Sequence, residues 1–359
     1  MALDDLAPIY CILPPHLLRN IAQNAKTPKQ RQKALQTLAT DNTLRAVRAA
    51  AASALSMRAK SPLSAPRGPS RQRTIYSASN TETLPGKLIR SETQTSDTGD
   101  EAVDEAFRGL GATFDFYWDV FERNSIDGDG LPLQATVHYG EGYNNAFWDG
   151  RRMVFGDGDG ETFNRFTIAV DIIGHELSHG VVEDEGPLMY FYESGALNES
   201  IADVFGSMIK QKLLNQTAVQ ADWLIGAGLF EANVQGVALR SMKDPGSAYN
   251  DPILGKDPQP AHMKDFVRTT EDNGGVHLNS GIPNRAFYLA AAAIGGYSWE
   301  KAGLVWYTAL RDSRLRPNAS IRSFASRTVA SAERLFGNNG DVEKAVRSAW
   351  TEVGVKLPT

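Results

Sequence analysis

The 359-residue chain contains one cysteine, Cys11. A single thiol excludes an internal disulfide framework. It also excludes a metal site built from several thiolates, so a metal here takes His and carboxylate ligands. No uninterrupted run of about 18 apolar residues occurs, and no transmembrane helix is predicted. Met1-Ala-Leu-Asp-Asp5 lacks a positive charge, and Pro8, Pro14 and Pro15 interrupt the apolar stretch behind it, unlike a secretory signal. Leaderless export and cytoplasmic retention both stay open. No fixed-period repeat is present. With 42% hydrophobic and 22% charged residues the chain can build a core, so wholesale disorder is excluded.

The charge is unevenly spread. Residues 1–73 hold twelve Lys/Arg against three acids, or +9; the remainder holds 25 against 39, or −14; together they give the net −5. A basic arm of this kind suits nucleic acid or an anionic membrane. It equally suits the acidic remainder of its own chain, and charge alone does not choose.

Residues 16–57 are rich in Ala, Leu, Gln, Lys and Arg. Leu44, Val47, Ala51 and Leu55 recur at steps of three and four, which predicts one or two helices. Residues 58–72 are Pro/Ser/Arg-rich and read as an exposed linker open to proteolysis. A β-rich region follows, with alternating stretches at Ala135–Tyr139 and Arg152–Phe155 and a helix over about 102–124. Gly156-Asp-Gly-Asp-Gly160 reads as a tight turn rather than a calcium loop, since it lacks the spaced acids and final Glu. Helices are predicted over 163–184, 195–214, 281–296, 298–312, 319–337 and 340–352. His16, His138 and His262 have no partners at ligand spacing and read as structural or surface residues.

The most informative stretch is Asp171-Ile-Ile-Gly-His175-Glu176-Leu-Ser-His179. On a helix, His175 and His179 project from one face and can share a zinc ion, with Glu176 beside it. A hydrolytic zinc needs a third protein ligand and one open position. Glu199 supplies the ligand, twenty residues on, within Gly195-Ala-Leu-Asn198-Glu199-Ser-Ile-Ala-Asp203. Asp203, one turn later, suits the other ring N–H of a ligating histidine.

These motifs resemble the thermolysin-like neutral metalloproteases. Gly142-Tyr-Asn-Asn145-Ala146-Phe-Trp148, Leu239-Arg240-Ser-Met-Lys-Asp-Pro245 and Asp272-Asn-Gly-Gly-Val-His277 extend the resemblance over about residues 73–355. It implies an α+β fold of two lobes, β-rich then α-helical, with the active-site helix between them and a small helical propeptide in front. It implies a zinc endopeptidase with His175, His179 and Glu199 as ligands. Glu176 would be the general base on a water acidified by zinc, and His277 and Tyr190 would stabilise the oxyanion. Asp272 would orient His277; Asn198 and Asp203 would support the ligating imidazoles. Asn145, Ala146 and Arg240 would hold the substrate backbone. Phe163, Phe166, Ile172, Ile225 and Leu239 would line a pocket for a hydrophobic side chain just after the cut bond, although buried apolar residues are commonly plain core.

Two departures carry meaning. Large members bind paired Ca²⁺ through acids near the active-site helix. Here Asp171 and Asp222 remain, with Glu183 and Asp184 nearby, but Lys210, Leu224 and Ala227 stand where acids are expected. A lysine ammonium in the cluster replaces the cation's charge, so the paired calcium site is predicted absent. The basic segment, with Cys11-Ile-Leu-Pro14-Pro15-His-Leu17-Leu18, resembles the short propeptide of the protealysin-like subgroup. The expected organisation is a propeptide over 1–57, a linker with the maturation site over 58–72, and catalytic lobes over 73–186 and 187–359. The propeptide would block the site as an intramolecular inhibitor until cleaved. Cys11 has two readings: a small buried hydrophobe, or a thiolate on the open zinc position.

A non-catalytic interaction protein on the same fold is the competing reading, but every catalytic group is present. An exopeptidase would need groups that capture a substrate terminus, and no such motif occurs. The expected partners are protein or peptide substrates, with no nucleic acid or membrane, and the expected state is a monomer. The resemblance implies secretion.

Overall fold

The computed structural model describes residues 10–55, 68, 71–186 and 188–357. Most of the 58–72 linker therefore lies outside the described residues. The chain divides into two compact units. One comprises Met1–Gly180, Gly228–Gln235 and Asp251–Gly255; the other Val181–Ala227, Gly236–Asn250 and Lys256–Thr359.

The first unit is built on a six-stranded mixed sheet. Its strands are β1 (Tyr10–Cys11), β2 (Arg73–Ser77), β3 (Lys87–Ser91), β4 (Leu133–Val137), β5 (Ala146–Trp148) and β6 (Met153–Phe155). They lie in the order β1-β5-β6-β4-β2-β3. The β2–β4 and β4–β6 pairs are parallel and the others antiparallel. The N-terminal segment enters this sheet as β1, then folds into α1 (Pro15–Asn24) and α2 (Pro28–Leu55). Pro15 starts α1, where its missing N–H has no helical partner to lose. Leu17, Leu18 and Ile21 turn one face of α1 inward.

Helix α3 (Glu101–Phe121) matches its expected span within three residues. Asp100 caps it, accepting from the Ala102 and Val103 amides at 3.0 and 3.3 Å; such a cap is worth about 1 kcal/mol. On the sheet, Cys11, Ala78, Tyr139, Tyr143, Phe147 and Val154 form one hydrophobic cluster. Its rings meet edge to face, Tyr139–Tyr143 at 5.2 Å and Tyr139–Phe147 at 5.6 Å, a geometry suited to aromatic quadrupoles.

Two expectations change here. Helix α4 runs over Val170–Glu185, not from 163. Phe163 and Phe166 imitate helical spacing but are buried in loop; Asp159 gathers the Glu161, Thr162 and Phe163 amides at 2.6–3.1 Å and holds the chain out of helix. Gly156–Gly160 is an irregular loop rather than a tight turn, because the Gly156 and Gly158 amides donate to the Asn145 and Tyr143 carbonyls at 3.0 and 3.2 Å. His138 has the structural role expected of it: its ring is held between Asp157 (2.8 Å) and Asp100 (2.9 Å).

The second unit is mainly helical: α5 (Tyr192–Leu213), α6 (Asp272–Asn279), α7 (Gly281–Ile294), α8 (Ala302–Leu310), α9 (Ile321–Phe336) and α10 (Asp341–Glu352). All but α6 fall near predicted helices. A two-stranded ladder joins β7 (Leu224–Ile225) to β8 (Arg240–Ser241). The core is aromatic: Trp306 stacks on Trp350 at 5.9 Å and meets Phe287 at 5.1 Å. Truncating such a tryptophan to alanine costs about 3–5 kcal/mol. Among the described residues, no helix is long and apolar enough to cross a membrane.

Candidate metal centre

Residues Asp171 to His179 are all buried, so the front of α4 has no solvated face. A helix buried all round can carry polar side chains only where they have partners. His175 and His179 bring their Nε2 atoms within 3.1 Å, with ring planes at 90°. Glu176, on the same helix, accepts the Trp148 amide of β5 at 3.1 Å, which fixes its carboxyl.

The N-terminal strand lies against the same place. Tyr10 and Cys11 of β1 oppose Trp148 and Phe147 of β5. Successive strand residues face opposite ways. The Tyr10 ring therefore stacks on the His179 ring, at 4.2 Å and 12°. Cys11 points the other way into the hydrophobic cluster and is buried there. This selects the hydrophobe reading of Cys11 over the ligand reading.

Beyond β1, the Leu13 amide donates to Asn145 Oδ1 at 3.0 Å. Asn145 Nδ2 donates to Asp41 of α2 at 2.7 Å, and Asp41 also accepts the Tyr143 hydroxyl at 2.7 Å. Lys33 pairs with Glu141 at 3.0 Å, but Glu141 is exposed and such a pair is worth little. Hydrogen bonds and apolar burial both take part in this docking. Asp41 and Tyr10 were not among the candidate residues. Nothing in the sequence distinguishes a buried Asp41 from a solvated helix acid.

In the second unit, Ser194 to Ile209 of α5 are buried without a break. Gly195 permits this: a Cβ there would lie 2.4 Å from Val276 Cγ1. The Tyr190 hydroxyl donates to Glu199 and lies 3.4 Å from His277 Nε2. Asp272 receives the His277 ring Nδ1–H at 2.7 Å and the His277 backbone N–H at 2.9 Å. Burial disfavours a charged His277 ring, but Asp272 and Glu199 outweigh it and hold its pKa above the ordinary value.

Asp203 is fully buried and grips the Arg240 fork, Nε at 2.9 Å and Nη2 at 2.8 Å, and also accepts Asn284 Nδ2 at 2.8 Å. Burial opposes the guanidinium charge, and Asp203 more than restores it. Asn198 donates to the Leu188 carbonyl at 3.3 Å. Leu239 and Ile225 share the β7–β8 ladder, the Leu239 amide donating to Ile225 O at 3.0 Å. Phe163 and Phe166 meet in the first unit at 5.8 Å. These four side chains and Ile172 are buried. Lys210 bonds Asp222 at 2.9 Å and the Leu224 carbonyl at 3.2 Å.

Among the described His, Cys, Asp and Glu residues, His175, His179 and Glu199 form a group able to hold a metal ion, one ligand atom of each lying within 4.8 Å of the others. Two imidazoles and one carboxylate are a donor set that zinc accepts, with a fourth position left over.

This geometry is that of a zinc-dependent peptidase. The chain belongs to the thermolysin family of metallopeptidases: residues 35–183 match the thermolysin metallopeptidase catalytic domain and residues 186–355 its alpha-helical domain. It is 53% identical to an extracellular metalloprotease of Pectobacterium carotovorum subsp. carotovorum, over 98% of this chain and 97% of that one. It is 55% identical to protease PrtS of Photorhabdus sp. (strain Az29), over 79% and 76% of the two chains. Its fold is similar to the precursor of protealysin, a metalloproteinase from Serratia proteamaculans, with a TM-score of 0.87 and 52% identity over 97% of this chain and all of that one.

Proposed function

We propose that this chain is a zinc endopeptidase made as a zymogen, with His175, His179 and Glu199 as the metal ligands. The carrying observation is the convergence of these three side chains, with Glu176 on the same helix. When bound, zinc supplies a Lewis acid and acidifies a coordinated water to a pKa of about 7. Glu176 takes the proton of the attacking water and later passes it to the leaving amine. As charge develops on the carbonyl oxygen, the Tyr190 hydroxyl and His277 Nε2 donate to it. Asp272 keeps a proton on His277 Nδ1 and aims the ring. Asp203 and Asn198 support the ligating imidazoles, and Asp203 also fixes Arg240.

Asn145, Ala146 and Arg240 hold the substrate backbone. Phe163, Phe166, Ile172, Ile225 and Leu239 provide for a hydrophobic side chain after the cut bond. Residues 1–57 act as the inhibitory propeptide and 58–72 carry the maturation cut, ahead of catalytic segments 73–186 and 187–359. The main support is that β1 pairs with the strand bearing Ala146 while Leu13 occupies Asn145, as a substrate backbone would. Lys210 substitutes for the paired calcium ions, supported by its bonds to Asp222 and Leu224 O. The extracellular relatives favour secretion, and the active form is a monomer.

Casein hydrolysis and metal content, followed with and without a zinc chelator, test this reading. The expected result is one zinc per chain and activity that vanishes with it and returns on readdition. A folded chain that takes up no zinc ends the proposal.

A further inference from the structure

Tyr192 opens α5 with φ at 48°. The left-handed region disfavours a residue bearing a Cβ by roughly 1–2 kcal/mol. Burial does not explain a tyrosine there, because the residue is 60% exposed. What the ring touches is Gly274. A Cβ on Gly274 would lie 2.4 Å from Tyr192 Cδ1 and 2.8 Å from Cε1, so the ring rests directly on the glycine backbone.

Gly274 belongs to a run of four left-handed residues: Asp272 (φ 52°), Asn273 (51°), Gly274 (87°) and Gly275 (79°). Asp272 and Asn273 are of the types that enter this region most readily, and the Tyr192 ring backs the run from outside. The turn sends the Asp272 carboxylate back to both nitrogens of His277 that it binds, at 2.7 and 2.9 Å. Val276, next to His277, packs closely on Gly195 of α5. Tyr192 closes the other side. Tyr192 is two residues after Tyr190, and Gly274 is three before His277. One ring-on-backbone contact thus ties together the two segments that carry the oxyanion donors.

We propose that Tyr192 is a positioning residue whose ring clamps Gly274, holds the left-handed Asp272–Gly275 turn, and so keeps His277 Nε2 aligned with the Tyr190 hydroxyl. The role rests on Tyr190 and His277 serving the reacting carbonyl. It costs backbone strain at Tyr192, and that strain makes it testable, because activity and stability then respond in opposite directions.

The test uses the full chain, zinc-loaded and incubated until its activity is constant, on a blocked internal peptide. Tyr192→Asn relieves the strain, since asparagine tolerates the left-handed region, but removes the ring. The melting temperature should hold or rise, while kcat falls about tenfold with KM within about twofold. Tyr192→Phe keeps the ring and should keep kcat. An unchanged kcat in Tyr192→Asn overturns the proposal, as does a loss shared by Tyr192→Phe or one that follows a falling melting temperature. Tyr190→Phe and His277→Ala serve as controls. If both retain wild-type kcat, the site assignment and the Tyr192 role fall together; if both lose it while Tyr192→Asn does not, only the Tyr192 role falls.

Discussion

The Tyr10 ring lies flat on the His179 ring, centroids 4.2 Å apart and planes within 12°. The histidine proposed as a zinc ligand is thereby covered by a side chain of the N-terminal segment. Tyr10→Ala removes that cover but keeps the β1 backbone ladder. Basal cleavage of a short fluorogenic peptide by the uncut chain should rise roughly tenfold, about 1.4 kcal/mol of lost stacking and burial. Electrophoresis must show the chain still intact. An unchanged basal rate would remove Tyr10 from the inhibitory contact.

Glu176→Gln separates the base from the metal site. A glutamine oxygen can still accept the Trp148 amide that Glu176 accepts at 3.1 Å, so the fold should persist. Zinc content should stay at one per chain, and kcat should fall at least about 10²–10⁴-fold. The variant should also stay uncut within 58–72 on incubation. Hydrolysis at near wild-type rate would remove Glu176 from the chemistry.

His138 gives a pH dependence whose sign can be worked out. Its bond to Asp157, helped by Asp100, raises its pKa to about 9 from an ordinary 6.5, against the opposing effect of burial. The folded protein therefore binds a proton that the unfolded chain releases. The stabilisation is complete below about pH 6.5 and is lost as pH rises through about 9. The melting temperature should fall over that window, and His138→Ala should flatten the fall. A His138→Ala profile that declines as steeply as wild type would assign the effect elsewhere.

Lys210 sits at 2.9 Å from Asp222, where the larger relatives are expected to bind calcium. Millimolar Ca²⁺ should change the melting temperature by less than about 1 °C. Lys210→Ala should cost about 0.2–1 kcal/mol, the range of a partly exposed ion pair. A calcium-dependent rise of several degrees in the wild type would contradict the substitution of lysine for the ions.

The approach of His175 to His179 was legible because a four-residue step puts both rings on one helix face, and Glu199 was expected with them as the further ligand a hydrolytic zinc needs. The helices of the second unit were legible from three-and-four spacing. Four features were not. Strand β1 is two residues long, too short for a period, and its partners lie far along the chain; Leu13 and Asn145 are 132 residues apart. The start of α4 was misplaced because Phe163 and Phe166 fall three apart while Asp159 holds the loop around them. The His138 clamp escaped because Asp100, Asp157 and His138 are joined by the fold and not by sequence spacing. Tyr192 carries no sequence signal, since left-handed φ values are read only from the backbone.

The place of β1 in the sheet has a consequence for the matured molecule. With β1 gone, β5 becomes a sheet border with open N–H and C=O groups along Ala146–Trp148. Such a border can pair with an extended peptide through main-chain hydrogen bonds, as the proposed substrate would. The same openness would let two enzyme molecules zip together or digest each other. Three residues is a short zipper, so the loss of one strand creates a place to work without creating a seed for aggregation.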